Sequence, residues 1–133
     1  MALAWSQIPH VSNQDDIDVT RLEALRRCNK QAVEKLGGRL TLTVFAVKAA
    51  AAALRRFPQF NVSLDVAKGE IVRKHYRHVG VPTDTGEGLV VPVLRNADRK
   101  SITAMAVELR DLVERTRASK VDLEDLQGGT FTN

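Results

Sequence analysis

Apolar residues recur at helical spacing in three stretches of the chain. Between Thr41 and Leu54, the positions Val44, Val47, Ala51 and Leu54 fall on one face and alanines cover much of the rest. Such all-round small apolar character predicts a helix packed on several sides, ended by Phe57-Pro58. From Ser101 to about Ser119, Ile102, Met105, Leu109, Leu112, Val113 and Thr116 fit one face, while Glu108, Arg110, Asp111, Glu114 and Arg117 fit the other, the pattern of a half-buried helix. An earlier helix starts at Thr20-Arg21-Leu22-Glu23. Its spacing is that of a capping box, in which Thr20 accepts from the Glu23 amide and Glu23 reaches back. Leu22, Leu25, Val33 and Leu36 form its expected buried stripe, and Gly37-Gly38 its end.

Between the Leu54 and Ser101 ends of the two later helices the period shortens. QFNVSLD reads as a short strand, Gly69 as a turn, and Glu70 to Val81 as one long strand. DTGEG, from Asp84 to Gly88, is a tight turn before a more buried strand from Leu89 to Leu94. Pro92 cannot donate to a ladder, so it belongs at an edge or bulge. The segment from Ile8 to Val19 is extended in character, and VDLEDLQ forms a helical turn before a short Thr-Phe-Thr strand. The whole is predicted to be one mixed α/β unit over residues 1–133, with a mixed sheet flanked by helices and no internal repeat or linker.

Composition narrows the function classes. The chain has 133 residues, 44% of them hydrophobic and only 5% aromatic, so its core rests on small aliphatic contacts. The formal net charge is +4, with both signs mixed along the chain. Nucleic-acid binding calls for a concentrated basic stripe with interleaved aromatics, and none exists here. The longest apolar stretch, Val44 to Leu54, contains Lys48 and falls short of the roughly 20 residues of a membrane span. MALAWSQIPH lacks the basic start and apolar middle of a signal peptide, with Met1-Ala2 read as a start codon and its neighbour. The single cysteine, Cys28, forms no internal disulfide. These features assign the protein to the cytoplasm, with neither nucleic acid nor membrane as a partner.

Candidate chemistry is sparse. His75 and His78, three apart on the expected strand, point to opposite faces, and His10 is remote, so no metal site is expected. Cys28 lies mid-helix near Arg26, Arg27 and Lys30, which is the setting of a small packing residue more than of a nucleophile. No GxSxG or phosphate-loop pattern occurs, and DTGEG is hairpin geometry. Arg26 and Lys30, spaced i,i+4, form the more informative pair. Two like charges there repel by a few tenths of a kcal/mol, unless Glu23 offsets Arg26 or Arg27 and Glu34 offsets Lys30. The pair is either a solvated charged face or a phosphate grip, with Arg supplying a fork and Lys a point charge.

Four ordered stretches carry a resemblance: WSQIPHVSNQDDIDVTRLEALRR, LTLTVFAVKAAAAALRRFPQFNVSL, GEIVRKHYRHVGVPTDTGEGLVVPVLRNADRKSI and DLQGGTFT. Together, and most specifically in IPHV, FPQFN, GLVVPVLRN and GGTFT, the chain resembles the catalytic domain of dihydrolipoamide acyltransferases, the core components of 2-oxo acid dehydrogenase complexes. The resemblance implies a chloramphenicol acetyltransferase-like fold, incomplete at its C-terminus, and assembly as homotrimers within larger cores beside the other components of the complex. It implies acyl transfer between a lipoyl group, carried on a separate domain, and coenzyme A as substrate. In the family a histidine in a His-x-x-x-Asp-Gly signature is the general base, and a serine or threonine just after GGTFT stabilises the oxyanion. This sequence contains neither, and His10, His75 and His78 do not stand in that signature.

The resemblance therefore implies the N-terminal part of an acyltransferase catalytic, core-forming domain, with no lipoyl or subunit-binding domain. The chain alone is expected to be inactive. Arg26 and Lys30 match the family's basic helix positions at the 3′-phosphate end of coenzyme A. Pro82-Thr83 replaces the family's usual Ala-Val-Asp-Thr run, so local strand pairing is expected to differ there. The alternative reading is a non-catalytic structural or assembly component of such a core.

Overall fold

A computed structural model describes Ser6 and residues 8–133. The reading of Met1-Ala2, and Trp5 and Gln7 of the WSQIPHV stretch, lie outside the described residues. Residues 8–19 carry neither helix nor strand.

Three helices follow the apolar spacing: α1 (Thr20–Lys35), α2 (Leu42–Arg56) and α3 (Ile102–Arg117). α2 begins where Thr41 Oγ1 accepts from the Val44 amide and buries Val44, Val47, Ala51 and Leu54, the expected stripe. It stops at Phe57, whose N–H donates to the Ala53 carbonyl, because Pro58 cannot continue the ladder. Ser101 caps α3 by accepting from the Ala104 amide at 3.1 Å. Met105, Ala106, Leu109, Leu112 and Thr116 face inward, with the Thr116 hydroxyl donating to the Leu112 carbonyl.

α1 departs from expectation at its start and along its stripe. The capping box does not form. Thr20 is already helical, Val19 sits at the cap position without a side-chain bond, and Asp18 Oδ1 accepts from both the Thr20 amide and its hydroxyl. The Asp18 carboxylate takes the Thr20 amide that the Glu23 side chain would have reached back to, the Glu23 amide donates to the Val19 carbonyl instead, and the Glu23 carboxylate is left to face Arg26. Of the expected stripe only Val33 is buried; Leu22 is half-buried, and Leu25 and Leu36 are exposed at 53% and 64%. The C-terminal end behaves as predicted. Gly37 adopts φ +80°, its N–H donates to Glu34 and that of Gly38 to Val33, the paired bonds of a Schellman motif. Gly38 also admits close packing, since a Cβ there would lie 2.8 Å from Val33 Cγ1.

The strands are shorter than the sequence suggests: β1 (Val62–Asp65), β2 (Glu70–Arg73), β3 (Val79–Gly80), β4 (Thr83–Thr85), β5 (Gly88–Val90), β6 (Val93–Leu94) and β7 (Phe131–Thr132). β1 and β2 form one hairpin around Gly69, and β4 and β5 another around the DTGEG turn. The mixed sheet is β6-β3-β7, with β6 antiparallel and β7 parallel to β3.

The expected long strand from Glu70 to Val81 is broken at residues 74–78. Asn61, fully buried, donates its side-chain amide to the Lys74 and Tyr76 carbonyls, both at 2.8 Å, which removes those carbonyls from strand pairing. The expected strand from Leu89 to Leu94 is likewise split at Val91-Pro92, where no proline N–H is demanded. Pairing also stops beside Pro82-Thr83: β3 ends at Gly80 and the chain resumes as β4 in a separate sheet.

The core lies where β3 and β6 meet α2 and α3. Val44, Val47, Val79, Leu94, Ala97 and Met105 are almost wholly enclosed, and Val33 and Leu40 attach α1 to this cluster. Among the described residues, no helix is long and apolar enough to cross a membrane.

Candidate coenzyme-binding face

At about 100° per residue, positions three and four apart share one helix face. Glu23, Arg26, Lys30 and Glu34 therefore line up along α1 as a carboxylate, two cations and a second carboxylate. The structure pairs the ends of this row with its centre. Arg26 Nε and Nη2 donate to the two carboxylate oxygens of Glu23, each at 2.7 Å, and Lys30 Nζ stands 3.8 Å from Glu34. Arg27 Nε also donates to Glu23, at 2.9 Å. Arg26, Arg27, Lys30 and Glu34, with Cys28 and Gln31, border an open hollow.

The two cations are held differently. The Arg26 side chain is only 22% exposed, and its Nη1 donates to the Leu40 carbonyl at 3.2 Å, beyond the end of the helix. Lys30 is half exposed. The Glu23 carboxyl is pulled down to about 2, first by the hydrogen bond from Arg26 and then by that from Arg27. The same bond raises Arg26. One cation is thus a guanidinium held at three donors and its neighbour a half-exposed point charge, a combination suited to a phosphate.

The remaining candidates have structural surroundings. His78 is not on a strand; it lies in the segment joining β2 to β3 and is buried. Its Nδ1 accepts from the Asn96 amide at 3.1 Å, and its carbonyl accepts from the Thr130 amide at 2.8 Å. Burial, then the Arg95 and Lys100 charges, lower its pKa. His75 is exposed on the same segment. Cys28 is exposed on α1 rather than packed. Among the described residues, no group of three or more His, Cys, Asp or Glu could hold a metal ion. Lys48 donates to the Asp98 and Lys100 carbonyls, which explains a lysine inside the apolar helix.

Comparison with known proteins identifies the fold. The family described as 2-oxoacid dehydrogenases acyltransferase (catalytic domain) matches residues 1–132. The chain belongs to that family. The acetyltransferase component of the pyruvate dehydrogenase complex of Pseudomonas aeruginosa is 41% identical over 129 residues, covering 97% of this chain and 24% of that protein. A structure of Azotobacter vinelandii dihydrolipoamide acetyltransferase, solved to probe a serine, a histidine and an asparagine in its catalytic mechanism, superposes with a TM-score of 0.93 at 40% identity. It covers 98% of this chain and 54% of its own. The cubic core of a pyruvate dehydrogenase multienzyme complex matches with the same TM-score at 39% identity and the same two coverages. This acyltransferase-family chain therefore spans about half of the solved catalytic structures it matches, and has their mixed α/β fold.

Two parts of the α1 site had unequal signals in the sequence. The i,i+3 spacing of Glu23 and Arg26 announces their pairing. The Leu40 carbonyl carries no residue-type signal, because any residue at that position presents one.

Proposed function

We propose that this chain is the coenzyme-gripping portion of a dihydrolipoamide acyltransferase catalytic domain, within a parent that passes an acyl group between a lipoyl group on a separate domain and coenzyme A in a 2-oxo acid dehydrogenase complex. The observation that carries this reading is the family match over residues 1–132, joined to an α1 face on which Arg26 and Lys30 flank an open hollow. The 3′-phosphate of coenzyme A sits on that face, with Arg26 as the oriented donor and Lys30 as the neutralising charge.

The family's His-x-x-x-Asp-Gly signature does not occur among residues 1–133, so the role proposed for these residues is to bind coenzyme within the parent rather than to supply its general base. Its likeness to a cubic core supports assembly with further copies and with other components of the complex. Calorimetric titration with coenzyme A and with dephospho-coenzyme A tests the reading. Coenzyme A is expected to bind about tenfold more tightly, the order of one charge-assisted interaction. Equal binding, or none, removes the proposed grip.

A further inference from the structure

Arginine has five N–H donors. In Arg26, Glu23 takes two of them, at Nε and Nη2, and Leu40 takes one at Nη1. Two remain, one on each terminal nitrogen. The guanidinium is thereby pinned at three points, with its side edge closed and two of its five donors left. Lys30 has no comparable restraint, since its Glu34 partner lies at 3.8 Å and both side chains are about half exposed.

This difference decides what the two cations can contribute. A lysine at the end of a flexible stem attracts any nearby anion and selects weakly among geometries. A clamped guanidinium presents its donors in one direction, with the rotamer cost already met before a ligand arrives. The clamp crosses elements, because Glu23 is in the first turn of α1 while Leu40 lies past its end, just before the Thr41 cap of α2.

We propose that Glu23 is a positioning residue for terminal-phosphate recognition, holding Arg26 by its side edge so that its two remaining donors meet the 3′-phosphate of coenzyme A. The inference rests on the coenzyme reading above and adds the source of its geometry: most of the preference for a phosphate-bearing ligand comes from the oriented Arg26, and Lys30 adds a charge attraction that does not depend on direction. A carboxylate beside two arginines could instead compete with the phosphate for them, and the two roles predict opposite outcomes.

The test compares coenzyme A with dephospho-coenzyme A on the intact protein and on Glu23→Gln, with helical content checked by circular dichroism. In the intact protein a preference for coenzyme A establishes the underlying reading; its absence removes that reading and this inference with it. Given that preference, Glu23→Gln is expected to shrink it roughly fivefold, the order expected when charge-assisted bonds lose their aim. Affinity for dephospho-coenzyme A is expected to change by less than about twofold, because the lost carboxylate acts on the phosphate contact alone. An unchanged or widened preference overturns the inference, since Glu23 would then be a bystander or a competitor. Arginine side-chain NMR on the unmutated protein gives a second arm that does not depend on the variant folding. Coenzyme A should shift the Arg26 Nη signals while the Nε–H bonded to Glu23 persists. Loss of that Nε–H contact on coenzyme addition shows displacement of Glu23 and contradicts the proposal.

Discussion

Arg26 and Glu23 are joined by two 2.7 Å bonds, so the depressed Glu23 carboxyl keeps its charge through neutral pH. The clamp is lost only as pH falls from the ordinary carboxylate range toward about 2. His78 behaves in the opposite chemical sense with the same sign of linkage. Its pKa is lowered in the folded chain by burial and then by Arg95 and Lys100, with a backbone hydrogen bond at Arg77 and the Asp98 charge opposing, so the unfolded chain takes up a proton more readily. Stability from neutral His78 is complete above the unfolded value and is lost as pH falls below it. Urea midpoints should therefore drop between about pH 7.5 and pH 5.5, a range spanning the ordinary histidine pKa. His78→Gln should flatten that slope. An equally steep slope in the variant would assign the effect to other groups.

Individual elements differ in how openly the sequence announces them. α2 and α3 are legible because Val44, Val47, Ala51, Met105, Leu109 and Leu112 all face one core, so their spacing reports burial directly. α1 has the same periodicity, yet Leu25 and Leu36 face away from the described residues, and periodicity alone cannot say whether a stripe finds a partner. The strand break at residues 74–78 is set by a contact distant in sequence, Asn61 reaching Lys74 and Tyr76, whereas the break at Pro92 follows from a residue type visible in the sequence. At the α1 site the cation spacing was readable and the backbone acceptor was not. The seat of α1 gives a test at this scale. Gly38→Ala places a methyl 2.8 Å from Val33 Cγ1 and 3.2 Å from the Val107 backbone nitrogen, so it should destabilise the chain by about 1–3 kcal/mol through overpacking. Thermal unfolding measures this, and an unchanged midpoint would mean that the seat of α1 yields freely.

The molecule as a whole places a well-filled aliphatic core beside unsatisfied edges. Among the described residues, β6 and β7 are the outer strands of the mixed sheet, each paired on one side only, and both β7 residues are exposed. Leu64 and Ile71 are cross-strand partners in the β1–β2 hairpin and expose 52% and 71% of their surface. Open edges and uncovered apolar pairs favour association, so the isolated chain should self-associate with rising concentration. Sedimentation showing a monodisperse monomer at high concentration would contradict this. The central claim, that α1 grips the terminal phosphate of coenzyme A, is tested most directly by phosphorus NMR of the coenzyme with the protein added. The account predicts that the 3′-phosphate line shifts and broadens more than the pyrophosphate lines, and that Arg26→Ala/Lys30→Ala abolishes the difference. A response confined to the pyrophosphate, or one unchanged in the double variant, would contradict it.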